Sequence, residues 1–339
     1  MTTPRDHILI IAEAGVNHNG STELALQLVD AAAACGADAV KFQTFRADSL
    51  VARNAPKARY QQETTGTAEG QFAMLRRLEL DMAAHRLLSD RCLLHGLVFL
   101  SSPFDVESAQ ALYELGMRRY KIPSGEITNL LLLECIGRLA EEVLLSTGMA
   151  ELEEVGAALA VLDEAGLDRS RVTVLHCTTE YPAPYAEVNL RSMAAMGKKF
   201  GVRTGYSDHT PGIEIPVAAA ALGARVLEKH FTLDKTLPGP DHRASLDPTE
   251  FAAMVRAVRN VELALGDGNK RPTASELPNR LVARKSIVAA RAIRRGELFT
   301  VDNLTTKRPG SGISPMRWYE LLGRSARRDY RADEMIEQP

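Results

Sequence analysis

The sequence predicts an α/β fold in which eight parallel strands, each followed by helical sequence, close into a barrel. Up to about residue 265, short apolar runs rich in β-forming residues alternate with longer segments of helical period. Apolar runs of this kind, separated by helices, are typical of parallel strands buried on both faces. The predicted strands are residues 8–13, 38–43, 97–101, 118–123, 142–147, 172–177, 202–207 and 225–230. Eight repeats favour a (β/α)8 TIM barrel, with an open doubly wound sheet as the alternative.

The chain length indicates a second, smaller domain. A barrel of this kind takes about 250 residues, whereas the chain has 339. We therefore assign residues 1–268 to the barrel, and the stretch 269–283, rich in glycine, proline and polar residues, to a linker. Residues 284–339 contain short strand-like segments and turns, which predicts a small β-rich domain with little material for a core of its own.

Composition and charge exclude several classes of function. The formal net charge is −2 and the pI is about 6.5, so the chain lacks the basic field that holds nucleic acid or an anionic membrane. The four cysteines are scattered and form no CxxC pair, which argues against a disulfide framework or a structural zinc site. No apolar run reaches the roughly 20 residues of a membrane span. We therefore expect a cytoplasmic protein that acts on a small molecule.

Polar side chains follow almost every predicted strand. In a parallel barrel the C-terminal ends of the strands meet at one mouth, where catalytic residues collect. The insertion at residues 46–70 follows the second strand on that same side and is expected to form part of the site. The strand-end residues are Glu13, Lys41, Gln43, Ser101, Ser102, Lys121, Ser124, Glu126, His176, Thr178, Thr179, Ser207, Asp208, His209, Glu228 and His230.

These residue types predict an anion site beside a metal site. Lys41 and Lys121, together with neighbouring hydroxyls, are suited to phosphate or carboxylate, because such anions need positive charge and hydrogen-bond donors. His209 and His230 end neighbouring strands, so they are predicted to share one divalent cation and to leave its other coordination positions open. Glu13 is expected to face the same mouth and is the candidate general acid or base.

Long motifs accompany these strand ends. They are IIAEAGVNHNGS (10–21), GADAVKFQTF (36–45), FLSSPFD (99–105), YKIPSGEITN (120–129), LLSTGMA (144–150), LHCTTEYPAPYAEVNL (175–190), GYSDHTPGI (205–213), LEKHFTLDKTLPGPDHRASLDP (227–248) and TKRPGSGIS (306–314). In this order they resemble the sialic acid (nonulosonic acid) synthase family over essentially the whole chain. The C-terminal segment is similar to the antifreeze-like (SAF) domain of that family.

The resemblance implies phosphoenolpyruvate (PEP) and an N-acetylated amino-sugar aldehyde as substrates. It implies a divalent cation on His209 and His230, Mn²⁺ in the first place and Mg²⁺ or Co²⁺ as alternatives. The PEP-binding residues it implies are Lys41, Ser102, Lys121, Ser124, Thr179 and Ser207. The sugar-binding residues it implies are Gln43, Tyr181, Asp241 and Arg308. It further implies a domain-swapped homodimer, in which the SAF domain caps the barrel of the other subunit and carries Arg308 to it.

At two places the sequence departs from the family pattern, and these departures affect which binding roles the resemblance implies for this chain. Some members have asparagine where this chain has Thr179, whose hydroxyl can still donate to phosphate. The segment at residues 54–60 differs from its counterpart in some relatives, so its sugar contacts are not assigned.

The reaction implied by the resemblance joins C3 of PEP to the sugar aldehyde and gives a nine-carbon 2-keto acid and phosphate by C–O cleavage. The aldehyde is either N-acetylmannosamine, which gives N-acetylneuraminate, or 2,4-diacetamido-2,4,6-trideoxymannose, which gives legionaminate. The motifs AEAGVNHNG, SGEITN and CTTEYPAPY resemble those of the legionaminic branch of the family more than those of the N-acetylneuraminate branch.

Two other functions fit parts of the pattern. A Schiff-base aldolase of the sialic acid lyase kind would also use a barrel and a strand-end lysine, but it leaves the histidine pair and the second lysine without a role. A non-catalytic sugar-binding protein would keep the barrel only as a scaffold, and it does not account for the candidate site residues occurring together.

Overall fold

The structure is a computed structural model that describes residues 7–337. The chain divides into two compact units, Met1–Gly266 and Asp267–Pro339. The division lies two residues before the boundary at residue 268 that the sequence predicts.

The first unit is an eight-stranded parallel barrel, which confirms the predicted fold class. Its strands are β1 (Leu9–Gly15), β2 (Ala39–Thr44), β3 (Val98–Pro103), β4 (Arg119–Ile122), β5 (Glu142–Ser146), β6 (Val172–Cys177), β7 (Arg203–Asp208) and β8 (Val226–His230). The strand order is β3-β2-β1-β8-β7-β6-β5-β4, and contacts between β3 and β4 close the barrel. Every predicted strand overlaps an observed one.

Helices cover the outside of the barrel. They are α1 (Thr22–Ala34), α5 (Met82–Leu94), α6 (Val106–Glu114), α7 (Leu130–Leu139), α8 (Leu152–Glu164), α9 (Arg191–Phe200), α10 (Glu214–Ala221) and α11 (Pro248–Leu265). The last of these begins with a reciprocal cap, because Asp247 accepts from the N–H of Glu250 and the Glu250 carboxylate accepts from the N–H of Asp247. Within residues 7–337, none of the helices has the length and apolar character that crossing a membrane requires.

Strand alternation separates an apolar interior from a polar mouth. The side chains that fill the barrel interior are Ile11, Ala39, Leu100, Leu144, Leu175 and Val226. Because side chains alternate between the two faces of a strand, the residue two positions later points the same way. Those residues are Glu13, Lys41, Ser102, Ser146, Cys177 and Glu228, and all of them line the cavity at the mouth. The same strands therefore supply both the apolar interior of the barrel and the polar side chains of the cavity.

The same alternation turns some strand-end residues outward, and the expectation that they reach the mouth was wrong. The Oγ of Ser101 lies 2.7 Å from Thr44 Oγ1, and the ring of His176 forms a hydrogen bond with the backbone carbonyl of Val188. Asp208 pairs with the fully buried Lys229, whose Nζ lies 2.5 Å from Asp208 Oδ2. Each of these strand residues stands one position from an inward-facing neighbour, so the period of two decides its role.

The insertion after β2 carries three short helices, α2 (Ala47–Leu50), α3 (Arg59–Thr65) and α4 (Gln71–Leu78). Lys57 is buried within it and donates to Thr65 Oγ1 at 2.9 Å and to the carbonyl of Gly66 at 3.1 Å. These bonds fold the insertion back on itself and hold α3 in one place.

The second unit is built around a small antiparallel sheet. Its elements are α12 (Glu276–Ala283), β9 (Ser286–Ala289), β10 (Leu304–Lys307) and α13 (Trp318–Leu321). Helix α12 lies in the stretch that the sequence predicts as a linker. The unit also has its own hydrophobic cluster, which includes Ile287, Phe299 and Tyr330.

A buried histidine in the loop after β1 makes the stability of the first unit sensitive to pH. His18 is fully buried, and its Nδ1 accepts from the N–H of Gly20 at 3.0 Å, while its Nε2 has no hydrogen-bond partner. Burial first, and then the nearby His85 and His242, lower the pKa of His18 to about 4. Protonation therefore favours the unfolded chain, where an ordinary histidine has a pKa near 6.5.

We expect stability to be highest above pH 6.5 and to fall as the pH drops towards 4. Between pH 7.5 and pH 5, proton uptake by His18 on unfolding accounts for a loss of about 2 kcal/mol. The substitution His18→Asn should remove that part of the decline, as measured by urea unfolding at the two pH values. His7→Asn, at a largely exposed histidine, serves as the control and should retain the part of the decline that belongs to His18. An unchanged slope in His18→Asn would contradict this account.

Candidate active site

The predicted site residues of the first unit line one cavity of about 330 Å³. They are Glu13, Lys41, Gln43, Ser102, Lys121, Ser124, Thr179, Tyr181, Ser207, His209, His230 and Asp241. Arg308 lies in the second unit, next to the cis bond that it forms with Pro309, and its place in a partner's site stays a prediction.

Two buried lysines and two buried glutamates form the centre of the cavity, and we call them the lysine–glutamate quartet. The Nζ of Lys41 lies 2.6 Å from Glu13 Oε2 and 3.9 Å from Glu228 Oε1. The Nζ of Lys121 lies 2.8 Å from Glu228 Oε1. All four side chains are less than 5% exposed. The two positive and two negative charges offset one another, which compensates for the free-energy cost of removing these groups from water.

The two glutamates of the quartet differ in acidity. Burial raises the pKa of Glu13 to about 7 despite the nearby Lys41. Burial acts in the same direction on Glu228, but Lys121 and Lys41 outweigh it and hold the pKa of Glu228 at about 2. Glu228 is therefore a permanent anion, whereas Glu13 is poised to take up or release a proton near neutral pH.

Hydroxyl groups surround the quartet. Lys41 donates to Ser102 Oγ at 3.0 Å, and Ser207 donates to Glu228 Oε1 at 3.1 Å. The hydroxyls of Ser146 and Thr179 are buried without a hydrogen-bond partner. A buried hydroxyl of this kind is costly unless a ligand satisfies it.

Gly148 keeps the space beside these hydroxyls open. Its N–H donates to Ser124 Oγ at 2.9 Å, and any Cβ at this position would collide with Thr179 Oγ1. The lysines, free hydroxyls and unobstructed backbone together form a cradle suited to a phosphorylated anion.

The two predicted metal-binding histidines lie next to each other, with ring centroids 5.3 Å apart. The Nδ1–H of His209 donates to the carbonyl of Thr178 at 2.7 Å, which leaves Nε2 with its lone pair for another partner. The Nδ1 of His230 is buried without a hydrogen-bond partner, and its nearest carboxylate oxygen, Asp241 Oδ2, is 3.9 Å away. Burial lowers the pKa of His230 well below its usual range, so its ring stays neutral.

A divalent cation requires ring nitrogens whose lone pairs are not used elsewhere, and each of these two rings has such a nitrogen, so the residues fit the predicted metal. Within residues 7–337, no group of three or more histidine, cysteine, aspartate or glutamate side chains is arranged to hold a metal ion.

Aromatic rings form one side of the cavity at the histidine pair. The ring of Tyr181 packs against His209 at a centroid distance of 4.1 Å, and the ring of Tyr60 packs against Tyr181 at 4.8 Å. Helix α3, which carries Tyr60, also approaches the loop before Asp241, because Thr64 Oγ1 lies 3.4 Å from the carbonyl of Pro240. As expected for the insertion, its residues line the cavity.

Three residues of this site were either not predicted from the sequence or had no role assigned to them. Glu228 stood among the strand-end residues, but its bridging of two lysines needs the closed barrel to be seen. Ser146 ends β5, and the strand-end rule applied to the other strands would have found it. Tyr60 carries no strand-end signal, since its position depends on how the insertion folds.

Two family models account for most of the chain. The model of the NeuB family matches residues 28–270, and the model of the SAF domain matches residues 284–339.

Similar proteins match over nearly the full length. The chain is 52% identical over 330 residues to N,N'-diacetyllegionaminic acid synthase of Campylobacter jejuni subsp. jejuni serotype O:2, covering 97% of this chain and 99% of that relative. It is 46% identical over 316 residues to the enzyme of the same name from Legionella pneumophila, covering 93% and 89% of the two chains. The crystal structure of N-acetylneuraminic acid synthetase from Leptospira borgpetersenii superposes with a TM-score of 0.71 at 33% identity, covering 81% and 90%.

We expect Glu228→Gln to lower the free energy of unfolding of the ligand-free protein by about 3 kcal/mol. Only one carboxylate, that of Glu13, then balances the charges of Lys41 and Lys121. Inorganic phosphate should recover part of that loss and raise the Tm of the variant more than that of the wild type. The control is Glu142→Gln, which breaks the partly exposed pair with Arg119 and should cost less than about 1 kcal/mol. Equal effects of the two substitutions on Tm would count against the quartet as described.

Proposed function

Since the chain belongs to the NeuB family and carries its SAF domain, we propose that it is a nonulosonic acid synthase, a transferase-type enzyme. The family resemblance drawn from the motifs is confirmed by these matches. The proposed reaction condenses PEP, an N-acetylated mannosamine-type aldehyde and water to a nine-carbon 2-keto sugar acid and phosphate. Relatives named as legionaminic acid synthases favour the 2,4-diacetamido-2,4,6-trideoxy sugar over N-acetylmannosamine.

The observation that carries this proposal is the position of the lysine–glutamate quartet beside the histidine pair in one cavity. One half of the site suits an anion with phosphate and carboxylate groups. The other half suits a carbonyl oxygen that gains negative charge during reaction.

PEP binding is assigned to the anion half. Lys41 and Lys121 supply the charge, and the free hydroxyls of Ser146 and Thr179 supply the donors that phosphate or carboxylate oxygens accept from. Binding then satisfies polar groups that are otherwise buried without partners, which adds to the affinity.

His209 and His230 would hold the divalent cation, which when bound supplies a Lewis acid at the aldehyde oxygen. The ring of Tyr181 packs against both histidines and limits the directions in which they can turn. Gln43 and Asp241 line the same end of the cavity and are assigned to the sugar.

The bond changes balance without another reactant. C3 of PEP attacks the aldehyde carbon, whose oxygen takes the electron pair and then a proton. Water adds to the cationic C2 and loses a proton. The resulting C2 hydroxyl then loses its own proton as the bond from C2 to the phosphate oxygen breaks, and the phosphate takes that electron pair. The products are the keto group at C2 and inorganic phosphate. Glu13 is assigned to the proton transfers, since it lies at the centre of the cavity with a pKa of about 7.

The SAF domain is proposed to cap the barrel of a second subunit in a homodimer, with Arg308 contributing to the sugar site there. This assignment rests on the family resemblance.

The aldolase alternative conflicts with the state of the lysines. A Schiff base requires a neutral amine as nucleophile. Both candidate lysines are buried against carboxylates, at 2.6 Å for Lys41 and 2.8 Å for Lys121. Burial would lower the pKa of Lys41, but Glu13 and Glu228 outweigh it and raise that pKa above its ordinary value. The ammonium form is the one that binds an anion.

We expect phosphate release from PEP to require the amino sugar and a divalent cation together, with Mn²⁺ as the first choice. The oxygen that bridges C2 and phosphorus, labelled with ¹⁸O, should leave with the phosphate.

His209→Ala and His230→Ala should each lower metal-dependent turnover by at least about 100-fold. Borohydride with pyruvate should trap no adduct on the protein. Trapping would support the aldolase, and absence of release with every sugar would support a binding protein.

We expect Glu13→Gln to lower kcat by about 100-fold or more, because the amide keeps the shape of the side chain but cannot transfer a proton. Glu142→Gln is the control, since Glu142 pairs with Arg119 and does not line this cavity, and it should keep the wild-type kcat. Steady-state kinetics with PEP in excess measures both. Wild-type turnover in Glu13→Gln would rule out the proposed role.

A further inference from the structure

A buried ion pair between β7 and β8 takes no part in the chemistry assigned above. The Nζ of Lys229 lies 2.5 Å from Asp208 Oδ2, and both side chains are fully buried. Neither residue lines the cavity, because strand alternation turns each of them away from the mouth. An ion pair behind the cavity wall can act on the reaction only through other residues.

Each member of the pair stands next to one histidine of the cavity. Asp208 ends β7 and immediately precedes His209. Lys229 immediately precedes His230 on β8. Asp208 and Lys229 are also register partners, and the paired register of β7 with β8 ends at them. One residue further on, the rings of His209 and His230 lie with their centroids 5.3 Å apart. The ion pair is therefore one peptide unit away from the residue that carries each ring.

The pair also holds the chain that follows His209. The N–H of Thr210 donates to Asp208 Oδ1 at 3.0 Å, and the hydroxyl of Thr210 donates to Asp208 Oδ2 at 3.2 Å. Lys229 Nζ donates to the carbonyl of Thr210 as well. His209 consequently lies between two residues that the same ion pair fixes, although β7 itself ends at Asp208.

Stability alone does not explain why two charges stand at this position. Removing them from water costs about as much free energy as their attraction returns, and apolar residues of similar volume often serve as well in a buried position. An ion pair differs from apolar contacts because its hydrogen bonds have defined lengths and directions. The bonds of Lys229 join β8 to the residues on both sides of His209, so they set how the two strand ends lie relative to each other.

We propose that this ion pair is a positioning device that fixes the rings of His209 and His230 in one arrangement before a divalent cation binds. The inference rests on the proposed function, which assigns the cation to these two histidines. With the rings held in advance, cation binding does not include the entropy cost of ordering the chain at His209. Groups that orient metal ligands from behind change metal affinity by about 10- to 100-fold.

The test replaces both charges together in the full-length protein, so that no unpaired charge is left buried. In Asp208→Asn/Lys229→Met the new amide can still accept from the Thr210 N–H, whereas the hydrogen bonds that Lys229 donates are lost. Titration with Mn²⁺ alone, followed by the electron paramagnetic resonance signal of the free ion, should give a Kd raised by about 10- to 100-fold. The Kd for PEP, measured by calorimetry without metal, should stay at the wild-type value.

Thr210→Val is a milder second variant. It removes only the hydroxyl bond from Thr210 to Asp208 and keeps both charges of the ion pair. Loss of one such bond should raise the Kd for Mn²⁺ by about 3-fold and leave the Kd for PEP unchanged.

The matched control is Arg119→Met/Glu142→Gln. Arg119 and Glu142 are also register partners on neighbouring parallel strands, with Arg119 Nε 2.5 Å from Glu142 Oε2. They lie near the N-terminal ends of β4 and β5, away from the cavity, and neither lines it. This control should bind Mn²⁺ with the wild-type Kd.

The outcomes separate the positioning role from the proposed function. A wild-type Kd for Mn²⁺ in the double variant, or a Kd for PEP that rises as much as the Kd for Mn²⁺, would overturn the positioning role. If the double variant does not fold, Thr210→Val decides the case: an unchanged Kd for Mn²⁺ overturns the role, and a raised one with an unchanged Kd for PEP supports it. Absence of Mn²⁺ binding by the wild type, or wild-type binding by His209→Ala, would overturn the metal assignment of the proposed function instead.

Discussion

The pairing of two buried lysines with two buried glutamates is the interaction on which the site depends. Burying Lys41 or Lys121 alone would carry a large desolvation cost, and each is accommodated only because a carboxylate lies within hydrogen-bonding distance. The pairing requires β1, β2, β4 and β8 to present inward side chains at one level, which only a closed parallel barrel achieves. The apolar interior below that level excludes water and strengthens the charges above it.

Within this arrangement the carboxylates have different tasks. Glu228 touches both lysines and accepts from Ser207, so it fixes their geometry as a permanent charge. Glu13 touches one lysine and the side chain of Gln43, and burial governs its acidity. The difference in acidity between these two chemically identical groups follows from their surroundings, because burial dominates at Glu13 and the two lysines dominate at Glu228.

The sequence predicts most of this architecture because both the barrel and its mouth arise from local periodicity. Alternation with a period of two places Glu13 and Lys41 at the mouth, and it also explains why Ser101 points away from it. The cavity-lining side chains of Leu50 and Leu75 had no such signal, since they lie on short helices whose packing depends on contacts distant in sequence. The hydrogen bonds of Lys57 that fold the insertion back are invisible in a linear pattern for the same reason.

Lys57 makes the insertion a nearly self-contained segment. Its ammonium group bonds to Thr65 and Gly66 and lies 3.5 Å from Glu69, all within the same stretch of chain. The strands carry the lysine–glutamate quartet, whereas the insertion is a separate, internally braced part of the cavity lining. Substitutions within this one stretch can therefore reshape a side of the cavity while the strands keep the charged residues at its centre in place.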